Sequence, residues 1–196
     1  MFQKKRRNAN IRNSDRSQSN NSYVMKMFEE IFDSGDDAGT ALDFAEDLER
    51  KSIKFYSEKA SEMDELNQKD ARDLFKFLVS QENSHLKAVL ELKKNLGKKI
   101  DWKHASEIIS PDLFAGFRSK RTQEIPIPEE ILESAIRAEE DAVDFYTEFA
   151  SKIASESGKS FFMRLAQFEK KHAELLDSLL ALSEVTVDSA GTPEEF

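Results

Sequence analysis

QENSH at residues 81–85 and FEKKH at residues 168–172 each contain Glu-x-x-His, as Glu82 with His85 and Glu169 with His172. A three-residue step on a helix turns both side chains toward one face. The chain has three histidines in 196 residues, and two of them stand in this frame. Upstream of each copy lies a second likeness. The stretches AEDLERKSIKFYSEKAS (45–61) and AIRAEEDAVDFYTEFAS (135–151), laid over each other with a shift of 90, agree at Ala45/Ala135, Glu49/Glu139, Phe55/Phe145, Tyr56/Tyr146, Glu58/Glu148, Ala60/Ala150 and Ser61/Ser151. The chain therefore reads as a duplicated helix pair. In each copy a Glu is followed seven residues later by Tyr, two helical turns on and so on the same face.

Composition supports helices throughout. Only 6 Gly and 4 Pro stand among many Glu, Lys, Ala and Leu, and the length suits one domain with a substantial core. A formal charge of -9 argues against a nucleic-acid partner, which needs excess Lys and Arg to displace counterions. It suits a soluble cytoplasmic protein. The absence of Cys excludes disulfides, thiolate zinc sites and iron–sulfur clusters within these residues. No apolar run reaches the roughly 20 residues needed to cross a bilayer, and the basic Lys4–Arg7 has no apolar run behind it, so it does not read as a secretory signal.

In chain order, residues 1–35 read as a polar, basic tail, disordered over about 1–22, followed by a short amphipathic docking segment at 23–32. A bundle occupies 36–184. Its first helix is expected from Thr40, as cap, to about 63, with Ala45, Leu48, Ser52, Tyr56, Ala60 and Met63 inward and Glu49 among them. The second runs over about 70–96, with Glu82 and His85 interrupting an apolar stripe. Residues 98–127 form a crossover long enough to span a helix length, and His104 there reads as a surface histidine. A third helix opens at Pro128 and continues to about 155, with Glu139 on its inner stripe. After a Ser-Glu-Ser-Gly turn at 155–158, the fourth covers about 160–182, and 185–196 is expected as a flexible tail. The fold class is all-α: a four-helix bundle of two helical hairpins, 40–97 and 128–184.

Four glutamates and two histidines near the middle of four inward faces demand compensation. An ionised carboxylate in a dry interior costs several kcal/mol, and no Lys or Arg shares these stripes at that level. Two divalent cations would balance four carboxylates and leave neutral imidazoles to complete the coordination. Carboxylate-rich ligation with one imidazole per ion suits iron or manganese, whereas structural zinc usually brings Cys or more His. Two single-Glu helices with two Glu-x-x-His helices form the dinuclear pattern of four-helix bundles. By symmetry Glu49 and Glu139 are terminal ligands, Glu82 and Glu169 bridges, and His85 and His172 bind one ion each. Tyr56 and Tyr146 are candidate hydrogen-bond donors to the carboxylates.

With Glu49 and Tyr56, Glu82-x-x-His85, Glu139 and Tyr146, and Glu169-x-x-His172, the chain over about 40–182 resembles the rubrerythrin branch of the ferritin-like family. The resemblance implies a di-iron centre, with manganese or zinc as substitutes, and reduction of hydrogen peroxide. Two features depart from it. The extra ligand Glu that the family carries three residues after the third-helix glutamate is Ala142 here, and the four-Cys rubredoxin-like relay has no counterpart in a sequence without Cys. Electrons are then expected from a separate donor protein.

Three functions compete: a di-iron oxidoreductase acting on peroxide or oxygen, a ferroxidase for iron detoxification or storage, and a metal-stabilised binding protein. A hydroxylase acting on a lipid quinone would need an apolar docking face that the helices do not offer, and no membrane contact is expected. The long crossover permits hairpin exchange between subunits, and a homodimer is the expected assembly.

Overall fold

The computed structural model describes residues 37–95, 101–109 and 125–189. Among them are five helices and no strands: α1 (Asp37–Glu65), α2 (Lys69–Lys94), α3 (Trp102–Ile108), α4 (Glu129–Lys152) and α5 (Glu156–Ser189). The all-α reading holds. The helices pack chiefly as two hairpins, α1 on α2 and α4 on α5, with α3 lying against α2 and α5.

The α1–α2 turn is tight because Asn67 takes a left-handed conformation (φ 57°), which Asn tolerates better than most residues. Its reversal lets the Gln68 N–H reach the Met63 carbonyl at 2.8 Å, which satisfies one of the acceptors left open at a helix end. At the opposite end of the hairpin, Lys93 joins α1 and α2 through Asp43 (2.5 Å) and Glu46.

Several helix ends differ from the sequence expectation. The first helix begins at Asp37, so Thr40 lies within it and does not cap it; Ala41 and Leu42 are buried, and their packing carries the helix back by a turn. The expected turn at 155–158 is in fact the first turn of α5. Ser155 accepts a hydrogen bond from the Gly158 N–H (3.2 Å) and thereby caps it, while Ile153, in extended conformation, ends α4 at Lys152 instead of 155. Gly158 serves packing here. A Cβ on it would lie 2.7 Å from Ile153 Cδ1 and 3.1 Å from the Trp102 ring. At the far end α5 continues through Ser189, into the stretch expected as a tail. Among its described residues the crossover contains one short helix, α3, capped by Asp101, whose carboxylate accepts from the His104 N–H at 3.0 Å; His104 itself is exposed, as expected. The N-terminal tail and docking segment, the Gly97 end of the second helix and residues 110–124 of the crossover lie outside the described residues.

Two apolar layers form the core. One joins Ala41, Leu42 and Ala45 of α1 to Ala88, Val89 and Leu92 of α2, Phe145 and Phe149 of α4, and Phe161, Phe162 and Leu165 of α5. The other joins Tyr56, Ala60 and Met63 to Leu74, Phe75 and Leu78, to Ile131, Leu132 and Ala135, and to Leu175, Leu176 and Leu179. Trp102 of α3 closes the first layer, 5.9 Å from Phe161 and 6.0 Å from Phe162 between ring centroids. Between the two layers the same four helices present polar side chains, and the candidate site lies there.

Candidate metal centre

The structure brings all six singled-out residues together. Glu49 of α1, Glu82 and His85 of α2, Glu139 of α4, and Glu169 and His172 of α5 are each at most 2% exposed. Their ligating atoms form two overlapping groups. One is Glu49, Glu82, His85 and Glu169; the other is Glu82, Glu139, Glu169 and His172, and within each the atoms lie within 4.8 Å of one another. Glu82 and Glu169 belong to both, Glu49 with His85 to one, and Glu139 with His172 to the other.

Both imidazoles turn Nδ1 toward the carboxylates. His85 Nδ1 lies 3.0 Å from Glu169, 3.5 Å from Glu82 and 3.7 Å from Glu49; His172 Nδ1 lies 3.0 Å from Glu82, 3.1 Å from Glu169 and 3.6 Å from Glu139. The two rings are nearly parallel, with centroids 5.7 Å apart. Each Glu-x-x-His pair thus reaches across to the shared carboxylate of the other, so the helices of opposite hairpins are joined through the site itself.

The tyrosines act crosswise. Tyr56 of α1 donates to Glu139 of α4, and Tyr146 of α4 donates to Glu49 of α1. The expectation of donors to the carboxylates holds, and the structure adds that each tyrosine serves the glutamate of the other repeat. Burial, then the nearby carboxylate charge, raises both phenol pKa values well above the usual range, so each hydroxyl remains a donor.

Without a cation, protons balance the cluster. Burial foremost raises Glu49 well above an ordinary carboxylic acid and Glu139 to about 8. Burial also opposes charge on the histidines, but the surrounding carboxylates overcome it, Glu169 at His85 and Glu139 at His172, and hold both well above the usual imidazole range. Burial likewise works against ionising Glu82 and Glu169, yet the two imidazoles win and both are lowered. The raised groups hold protons inside the cluster, and the lowered Glu82 and Glu169 carry its negative charge beside the two imidazoles.

The donor set fits a pair of hard or borderline divalent cations. Glu49 Oε2, Glu82 Oε1, both Glu169 oxygens and His85 Nδ1 are buried, and apart from the carboxylate–imidazole pairs within the cluster they have no hydrogen-bond partner among the described residues. Such groups are costly to leave unsatisfied, and convergence of their lone pairs on one volume is what a metal ion would relieve. Four carboxylates and two imidazoles in two shells match oxygen-preferring transition metals with one nitrogen each. Ala142 is buried in the apolar layer with Phe145 and Tyr146 and adds no ligand.

Sequence reasoning missed Gln81 and Phe168. Both are buried; Phe168 packs on His85, and Gln81, next to Glu82 in sequence, has an unpartnered Oε1. Gln81 precedes His85 by one helical turn on the same stripe, and that spacing was the available signal.

Residues 130–194 match the family model described as Rubrerythrin. Neither a curated protein nor a solved structure matches the chain. That matched stretch holds Glu139, Tyr146, Glu169 and His172, and the first hairpin repeats its ligand types and their spacing. Residues 130–194 are thus similar to the rubrerythrin family, and they lie within an all-α bundle.

Proposed function

We propose that this chain is a non-haem di-iron oxidoreductase of rubrerythrin type that reduces peroxide or oxygen with electrons from a separate donor. The observation that carries the reading is the pair of overlapping Glu/His clusters sharing Glu82 and Glu169. Glu49 and His85 would complete one iron site and Glu139 and His172 the other. When bound, two iron ions supply two one-electron reductants side by side, which a two-electron O–O cleavage requires.

The protein's own part is electrostatic and steric. The apolar layers above and below keep bulk water from the six side chains, so charge is balanced within the cluster. Tyr56 and Tyr146 fix the orientation of the two terminal carboxylates and remain protonated beside them. No described helix is long and apolar enough to cross a membrane. Single-turnover mixing of the fully reduced, iron-loaded chain with hydrogen peroxide tests the reading. Stoichiometric oxidation of the iron, faster than that of free Fe(II), is expected; oxidation no faster than free Fe(II) defeats it.

A ferroxidase is the second reading, and Ala142 favours it, because the six-ligand set lacks the further carboxylate of the peroxide-reducing family pattern. Repeated Fe(II) additions separate the two. A storage ferroxidase takes up many irons per chain, whereas the proposed oxidoreductase saturates at its centre.

A further inference from the structure

The duplication that repeats every ligand fails at the residue before each shared glutamate. Gln81 precedes Glu82 where Phe168 precedes Glu169. Both are buried, with 2% and 6% of their surface exposed. Phe168 covers one imidazole, its ring centroid 5.5 Å from that of His85, and its ring also carries the Arg164 guanidinium at 5.4 Å and the Lys171 ammonium at 5.3 Å. The two-fold relation between the repeats exchanges His85 with His172 and Phe168 with Gln81. The place beside His172 therefore falls to an amide, where the place beside His85 is filled by a ring.

The Gln81 Oε1 has no hydrogen-bond partner among the described residues. A buried carbonyl oxygen without a donor lowers the stability of a fold, and an apolar residue of similar volume would remove that cost. The opposite repeat has an apolar side chain at the corresponding position, Phe168. An amide retained there, beside a site rich in polar groups, has a use that the protein's own atoms do not fulfil.

We propose that Gln81 positions a small protic ligand of the peroxide class at the Glu139/His172 side of the centre. The amide carries both an acceptor and donors, so it can accept from the O–H of a hydroperoxide or donate to an anion. Phe168 denies that contact on the His85 side. The two halves, alike in protein ligands, become unequal toward an incoming ligand. Gln81 is a ligand-binding residue in this scheme: it touches the incoming ligand through its amide and leaves the protein ligands of the ions unchanged. The inference rests on the di-metal reading given above.

The test uses the full chain loaded with iron and oxidised to the diferric form, with azide as the probe, since azide is a small anion able to take the N–H edge of the same amide. Gln81→Met preserves length and removes polarity, and Gln81→Leu serves if that variant does not fold. Azide is titrated against the visible charge-transfer band, and the metal-free proteins are compared by thermal unfolding. The expected result is azide affinity weakened about tenfold, the worth of one hydrogen bond, at unchanged iron content, with a metal-free melting temperature equal to or above wild type. Affinity within twofold of wild type overturns the proposal, and so does a lowered metal-free melting temperature, which would make the amide a packing group. Wild-type protein that holds fewer than two metal ions per chain is a different outcome: it removes the di-metal reading and this inference with it.

Discussion

Tyr56 donates its hydroxyl hydrogen to Glu139 across the boundary between the hairpins, and Tyr146 returns the relation to Glu49. Each tyrosine lies seven residues beyond the glutamate of its own repeat, yet it serves the other repeat's glutamate. Tyr56→Phe should leave the Glu139 carboxyl short of a buried donor and lower stability by about 1–3 kcal/mol. Tyr146→Phe should cost a similar amount. Chemical denaturation of both variants checks this; a loss confined to one of them would contradict the two-fold arrangement.

The metal-free protein should lose stability as pH rises from 4.5, the ordinary glutamate value, through neutrality. Glu49 and Glu139 have folded pKa values above the ordinary 4.5, Glu139 at about 8, so their contribution is fully present below 4.5 and is lost as pH rises toward the folded value. His85 and His172, raised above 6.5, act in the same direction from that pH upward. Glu82 and Glu169 are lowered, so their contribution is lost only as pH falls below the ordinary carboxylate range. Each proton held only by the folded state changes stability by about 1.4 kcal/mol per pH unit. A cation replaces these protons, so the rise in melting temperature on adding metal should grow between pH 5.5 and 7.5. Melting curves with and without metal across that range give the answer; a constant rise would contradict it.

Shared and terminal carboxylates should differ in what they hold. Glu82 and Glu169 belong to both ligand groups, Glu49 and Glu139 to one each. Glu82→Gln or Glu169→Gln should abolish retention of both ions, whereas Glu49→Gln or Glu139→Gln should leave about one per chain. Metal analysis after gel filtration distinguishes the two classes. Equal losses in all four variants would remove the distinction.

Gly158→Ala should destabilise the protein although Ala is the better helix former by about 1 kcal/mol. The added Cβ meets Ile153 Cδ1 at 2.7 Å and the rigid Trp102 ring at 3.1 and 3.2 Å, and Trp102 is held against Phe161 and Phe162. A higher melting temperature in this variant would mean that α3 is free to move away.

The bundle and the composition of its centre were legible because two periodicities coincide in the sequence. The apolar stripes set which faces turn inward, and Glu49, Glu82, Glu139 and Glu169 fall on them with the two histidines. Pairing across the hairpins was not legible: spacing gives the face of a helix, but which tyrosine meets which glutamate depends on how the hairpins interlock. The start of α5 was misplaced for a similar reason. Ser-Glu-Ser-Gly carries turn residues, and only the packing of Ile153 and Trp102 on Gly158 explains a glycine inside the first helical turn. Gln81 stayed hidden because a single polar residue on an apolar stripe looks ordinary until its burial and its Phe168 counterpart are seen together.

The most direct measurement is an anaerobic titration of the metal-free chain with Fe(II) near pH 7, following bound iron and released protons together. Two ions per chain are expected, with release of about four protons, one each from Glu49, Glu139, His85 and His172. Binding of one ion or none, or of two with no proton release, would contradict a centre in which paired cations take the place of protons.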